Sequence, residues 1–198
     1  MSTEKLPHDN KTLYSFLSFW LVPIITVLAL LLGWVLKSSI ESQSQILTHD
    51  GIQASFPAGW VVETGLPSDQ MVFSAKEPLN IHHRYITSLV PSSPDLSLAG
   101  IAFTRNLERA QHLNIYKVLD QTDVLLHGQN AYKLRFAYVK PNGSIQIPTV
   151  IQGVEYFIPT ETQTLLISME QESEFFDSAL PRFMDFLASI SYDAGENQ

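Results

Sequence analysis

The chain contains no cysteine. That excludes disulfides, thiolate metal sites and a cysteine nucleophile, and it leaves no cysteine to carry a lipid at a membrane boundary. Basic residues are also scarce. Twelve Lys and Arg face twenty Asp and Glu, for a formal net charge of −8. From Ser38 onward the imbalance is nine against eighteen, a balance of −9. Nucleic-acid binding depends on Lys and Arg replacing condensed counterions, so such a surface argues against a nucleic-acid partner. An anionic lipid surface gains nothing from it either. No G-x-S-x-G elbow, P-loop or dinucleotide fingerprint occurs.

Charge is missing altogether from Leu13 to Leu36, LYSFLSFWLVPIITVLALLLGWVL. As a helix, these twenty-four residues reach roughly 36 Å, enough to cross a hydrocarbon core of about 30 Å with some tilt. The run is much longer than the apolar core of a signal peptide, and Gly33-Trp34-Val35-Leu36 offers no small-residue cleavage pattern. An uncleaved signal anchor is therefore expected, meeting the lipid bilayer through residues 13–36. Tyr14, Phe16, Phe19 and Trp20 crowd one end and Trp34 marks the other, as interfacial aromatics do. Pro23 removes one backbone donor and predicts a kink. Such a helix either docks against other membrane helices or acts as a plain tether.

Residues 1–12 form a short polar tail. Lys5, Lys11 and the terminal amine lie on one flank of the anchor, against Lys37 on the other. By the positive-inside rule the tail is cytoplasmic, and the rest of the chain lies on the periplasm-like or lumenal side of an inner cell membrane. Residues 37–50 read as a juxtamembrane linker, either a short extension of the helix or a flexible spacer.

Strand signals begin at Gly51. Ile52 to Phe56 alternates, Pro57-Ala58-Gly59 turns, and Trp60-Val61-Val62 opens a second strand. Gln70 to Ala75 and Ile81 to Val90 follow, and Leu98 to Thr104 is a further apolar run in the same series. A helix is expected from Asn106, as its cap, to Leu113, with Leu107, Ala110 and Leu113 on one side. After Tyr116 to Leu126, the strand Ala131 to Val139 puts Tyr132, Leu134, Phe136 and Tyr138 on one face and Lys133 and Arg135 on the other. Thr149 to Ile158 and Thr164 to Glu170 are apolar on both faces, which predicts central strands covered above and below. Short turns make the neighbours antiparallel. The last helix spans about Glu174 to Ser191, with Ser173 as a candidate cap and Pro181 awkward inside it. Phe176, Ala179, Leu180, Phe183, Leu187 and Ile190 recur at helical spacing. The expected class is α+β: an antiparallel sheet with helices on both faces (an α/β/α sandwich), occupying 51–192 and followed by a polar tail, 193–198.

Phe-Pro-x-Gly-Trp at Phe56 to Trp60, then strands, one short helix, an antiparallel set and a terminal Phe-x-x-Phe-Leu-x-Ser-Ile helix (Phe183 to Ile190) form an order of elements. That order resembles the PsbP-like family, which includes the extrinsic lumenal P subunit of photosystem II and the Mog-type Ran-binding proteins. The resemblance covers about Gly51 to Tyr192. It implies an α/β/α sandwich and a non-enzymatic binding or accessory role on a larger assembly. The chain departs from that family by carrying its own membrane anchor, and no functional residue transfers to it.

Residue chemistry points the same way. His82-His83 is the most visible metal pair, but neighbours on a strand point to opposite faces, and Arg84 follows them, so an exposed strand is expected. His49-Asp50 reads as a solvated turn. Asp120, Asp123 and His127 lack convergence on a pocket. Glu170, Glu172, Glu174 and Asp177 read as an acidic run suiting the start of the last helix, without the spacing of a calcium loop. Asn142-Gly143-Ser144 is a sequon that a turn explains equally well. The sequence thus offers no catalytic, cofactor-binding or metal-ligating residues. It is read as a non-catalytic, membrane-anchored accessory or assembly subunit of a respiratory or photosynthetic complex, with protein partners. The alternative is a stand-alone extracytoplasmic module for a small ligand or envelope component.

Overall fold

The computed structural model describes residues 10–41, 43–65, 70–92, 96–126, 128–141 and 147–192. The chain divides between Gln43 and Ser44 into two compact units. The first is a single helix, α1 (Asn10–Glu41), of 32 residues. It runs through Pro23 and prolongs the apolar stretch by more than a turn into the expected linker. Within it, Trp20–Ser39 is long and apolar enough to cross a membrane, with a mean hydropathy of 2.1. From Trp20 to Ser39 its side chains are exposed. The Thr26 hydroxyl is satisfied locally, donating to the Val22 carbonyl at 2.9 Å.

The second unit begins earlier than Gly51. Strand β1 (Ser44–His49) pairs antiparallel with β2 (Ile52–Pro57), His49 opposite Ile52. Asp50 and Gly51 close this hairpin with φ of 49° and 73°. Two left-handed residues match the twist of the flanking strands, and Asp-Gly adopts them at low cost. The linker reading of residues 44–49 is corrected by that turn. β10 (Ser191–Tyr192) completes a three-stranded sheet in the order β1-β2-β10.

The larger sheet has seven strands: β3 (Val61–Thr64), β4 (Met71–Glu77), β5 (Asn80–Pro91), β6 (Asn114–Leu126), β7 (Gln129–Lys140), β8 (Thr149–Pro159) and β9 (Gln163–Glu172). Their order is β3-β4-β5-β9-β8-β7-β6, and every pairing is antiparallel. The strands expected to be central are central: β9 lies between β5 and β8, and β8 between β9 and β7. Gly59, at φ 81°, makes the Pro57-Ala58-Gly59 turn that delivers Trp60 to the core.

Helix α2 (Leu98–His112) corrects two expectations. The apolar run at Leu98 is helical, not extended, because Ser97 caps it by accepting from the Gly100 amide at 3.2 Å. Asn106 lies inside the helix, where its side chain accepts from the Tyr116 hydroxyl. Ile101 and Ala102 are buried, whereas Leu107 and Ala110 point outward. Helix α3 (Phe176–Ser189) buries Phe176, Ala179, Phe183, Phe186 and Leu187 and contains Pro181. Ser173 does not cap it. Its hydroxyl takes a 2.6 Å hydrogen bond from Gln152, and the cap position falls to Phe175.

Two cores result. One gathers α3 with Ile52, Phe56, Phe73, Tyr85, Val154 and Ile167, among others. The second gathers Ile101 and Ala102 of α2 with Tyr132, Leu134, Phe136, Tyr138, Ile151 and Leu166. Alternate residues of β8 and β9 feed different cores, as period-two geometry requires.

Candidate functional site

A cluster of buried charge lies beneath α2. Glu155 has no exposed surface at all. It lies on the same side of β8 as Ile151 and Phe157, opposite Leu134 of β7 and Ser168 of β9. Arg105 and Arg109, four apart on α2, share the face that carries Ile101 and Ala102. Arg109 grips the carboxylate with two bonds, Nη1 to Oε2 at 2.8 Å and Nη2 to Oε1 at 3.0 Å. Arg105 Nε donates to Oε1 at 3.0 Å. Burial opposes the charge on Arg109, but Glu155 outweighs it and raises the guanidinium pKa. The guanidinium also sits 4.1 Å above the Phe136 ring. Every strong contact of this carboxylate is consumed by the fold, so it offers neither a free base nor an open ligand position.

A second pair lies on the same side of the sheet. Arg84 donates to Glu170 Oε2 from Nε at 3.0 Å and Nη2 at 2.7 Å. Tyr138 donates to the same oxygen at 2.7 Å. Burial, then the neighbouring Glu170, pushes the Tyr138 hydroxyl pKa up. The expected acidic run is thus split: Glu170 and Glu172 end β9, and only Asp177 lies in the first turn of α3. Glu170 is buried and held by Arg84 across the β5–β9 ladder, not by a helix terminus.

His82 and His83 are both buried, contrary to the exposed strand expected of them. They do point to opposite faces. His82 lies 3.4 Å from Lys140 and 4.0 Å from Glu172. His83 shares a hydrogen bond of 2.8 Å between Nδ1 and Glu77, with its ring edge-on to Trp60 at 4.7 Å. Burial lowers the pKa of both imidazoles; Lys140 adds to this at His82, while Glu77 works against it at His83.

An acid limb in stability follows. Above about pH 6.5, the ordinary imidazole pKa, both histidines are neutral folded and unfolded and contribute no pH dependence. Below it the unfolded chain binds protons that the folded chain refuses, so stability falls as the pH drops. Urea midpoints between pH 7 and pH 5 should decline in the wild type. They should decline less steeply in His83→Asn, by up to about 1.4 kcal/mol per pH unit for that one site. An unchanged slope would remove His83 from the account.

The remaining candidates do not converge. Asp120 and Asp123 are exposed on β6, with Lys133 3.8 Å from Asp120, while His127 lies outside the described residues. Asp50 is exposed in the hairpin turn, whereas His49 ends β1 half-buried beside Phe73, its ring 3.5 Å from the Asp50 carboxylate. The sequon Asn142-Gly143-Ser144 also lies outside the described residues. Among the described residues, no three His, Asp or Glu side chains are grouped as metal ligands would be. Sequence reading missed Glu155, Arg105, Arg109, Arg84 and Glu77. The available signal was a lone acid within a two-faced apolar strand and two arginines at helical spacing.

Apolar surface also remains outside. On α2, Phe103 and Leu107 are 69% and 53% exposed, one turn apart, on the side away from Ile101.

No family model and no curated protein sequence matches the chain. Solved structures do. The cyanobacterial PsbP (CyanoP) of Synechocystis is 11% identical, with a TM-score of 0.59, covering 77% of this chain and 94% of that one. The Ran-binding protein Mog1p of Saccharomyces cerevisiae is 9% identical, with a TM-score of 0.50, covering 76% and 95%. A Pseudomonas aeruginosa protein of unknown function, PA94, is 13% identical at a TM-score of 0.50, covering 78% and 100%. At these identities the likeness is one of fold: the second unit has the fold of PsbP and of the Mog-type Ran-binding proteins.

Proposed function

We propose that this chain is a single-pass membrane protein and a non-catalytic accessory or assembly subunit, docking its globular unit on a membrane protein complex from the non-cytoplasmic side. The observation that carries the reading is the Trp20–Ser39 span, an apolar helix with exposed side chains along its whole length. In water such a surface is costly; in a bilayer it is matched. The polar tail then lies in the cytoplasm, residues 13–36 form the anchor, and the unit that follows works beyond the membrane.

Within that unit, α2 and α3 cover opposite faces of the seven-stranded sheet in an α/β/α sandwich, as the alternation of β8 and β9 residues between two cores supports. Its buried carboxylates are locked in structural pairs, which leaves recognition to the surface. Exposed Phe103 and Leu107 suit a protein partner. A PsbP-like fold, shared with a protein named for binding Ran, fits an accessory role.

The test is purification of the full chain through a carboxy-terminal tag in mild detergent, with mass and absorption spectrum read on the eluate. A large stoichiometric assembly is expected. Elution alone, as a monomer or small oligomer, sinks the accessory reading and moves the weight to a stand-alone binding module. External protease on sealed cells should digest the globular unit. Full protection there would overturn its placement outside the cytoplasm.

A further inference from the structure

Among the described residues, four buried side-chain polar atoms have no hydrogen-bond partner within the chain: His83 Nε2, Tyr85 Oη, Thr87 Oγ1 and Arg135 Nε. Three of the four occupy successive alternate positions of one strand, β5. Alternation sends them to the same face. All three residues are at least nine-tenths buried, at 4%, 0% and 0% exposure. Each unpaired polar group in such a place is costly, and native folds leave few of them. Three on one strand face are a pattern, not scatter.

The surroundings define what would satisfy them. Tyr85 lies between Trp60, at 4.5 Å, and Phe186 of α3, at 4.7 Å. Thr87 is paired with Phe73 of β4 and Ile167 of β9. The walls are aromatic and aliphatic. Among the charged groups, Glu77, Arg182 and Asp185 act on Tyr85, and Glu77 and Arg182 act on His83. With Nδ1–H donating to the Glu77 carboxylate, Nε2 of the neutral ring is an acceptor. The Tyr85 and Thr87 hydroxyls each donate or accept. A partner must therefore give a hydrogen bond to His83, and where it also meets Tyr85 or Thr87 it can give or take one there. An anion cannot give, and a carbonyl cannot give; a hydroxyl does both.

We propose that the inward file His83–Tyr85–Thr87 on β5 is a binding site for hydroxyl groups, filled by internal water or by the hydroxyls of a bound alcohol. The site is independent of the accessory reading, which concerns the outer surface.

The sign of two near-isosteric substitutions tests it, using the full chain in detergent. If the hydroxyls are bound, Tyr85→Phe and Thr87→Val each lose a hydrogen bond, and the thermal midpoint falls by roughly 3 °C each. If nothing binds them, removing a buried unpaired hydroxyl leaves the midpoint unchanged or raises it, and the proposal is overturned. His83→Asn deletes Nε2 while keeping a donor toward Glu77. Combined with Tyr85→Phe it should cost less than the sum of the two, since one bridging molecule is lost only once; strict additivity would also count against the site. Denaturing extraction of the purified chain followed by mass spectrometry separates the sources. A stoichiometric organic alcohol identifies a ligand. Its absence, with the midpoints lowered, identifies water.

Discussion

Glu155→Ala should lower the unfolding free energy by about 3–5 kcal/mol, the usual consequence of removing one partner from a buried ion pair. The reason is the arginines left behind. Arg109 has a side chain only 13% exposed, and its guanidinium is fixed against Phe136. With no carboxylate beneath it, it must remain as an uncompensated charge or pull α2 away from the sheet. Arg105, at 29% exposure, has an easier route to solvent and accounts for the smaller part. Urea denaturation of the full chain in detergent measures the loss. The triple variant Glu155→Leu, Arg105→Met and Arg109→Met should recover most of it, because a well-packed apolar replacement of a buried charge cluster is often neutral or better. If Glu155→Ala costs less than about 1 kcal/mol, both arginines relax into water and the network is not what holds α2.

That cluster also shows where sequence reading stops. The strand 131–139 was legible because Tyr132, Leu134, Phe136 and Tyr138 alternate with Lys133 and Arg135, a period only a half-polar strand produces. The central position of β8 and β9 was legible from residues apolar on both sides. The fold resemblance followed from the order of such elements and survived comparison with solved structures. Helix α2 was misread because Leu98 to Thr104 is a short apolar run, which periodicity alone cannot divide between strand and helix. The deciding residues are Ser97, a cap, and two arginines whose partner lies 46 and 50 positions away. Nothing local to Arg105 or Arg109 announces that Glu155 is their target. The same holds for Glu170, whose acidic neighbours suggested a helix terminus while its actual partner, Arg84, lies 86 positions upstream. β1 escaped because Ser44–His49 is half-exposed and mostly polar, and its evidence is the Asp50-Gly51 turn beyond it.

Exposed and buried charge therefore play different parts in this unit. An acidic balance is a poor electrostatic match for nucleic acid, and under the proposed reading recognition falls to exposed apolar residues such as Phe103 and Leu107. The buried charges fix α2 and the β5–β9 pairing in one arrangement. Loss of Glu155 or Glu170 should be read as loss of structure before it is read as loss of function, and variants aimed at partner binding belong on the outer side of α2.

Gly153→Ala should be a strongly damaging single-methyl addition in the second unit. Gly153 lies directly opposite Phe136 in the β7–β8 register, and the ring lies across the space a side chain would fill. An added Cβ would meet Phe136 Cζ at 2.2 Å, Cε2 at 2.6 Å and Cε1 at 2.8 Å. Three ring atoms inside contact distance cannot be relieved by a small rotation. The ring cannot lift, because Arg109 covers it at 4.1 Å while bonded to Glu155, and Tyr116 flanks it at 5.8 Å. A glycine here serves the close approach of an aromatic ring across the ladder, a recognised use of strand glycines. Overpacking of this kind costs about 1–3 kcal/mol and sometimes more, and the upper end is expected because the obstructing ring supports the cation above it. Phe136→Leu alone should cost about 1 kcal/mol through lost packing. Together with Gly153→Ala it should cost less than the two added, since the shortened side chain vacates the space the methyl needs. Urea midpoints of the two single variants and the double variant measure this coupling. Additive losses would mean that Phe136 already moves aside in Gly153→Ala, and that the Arg109–Phe136 contact is not what pins the ring.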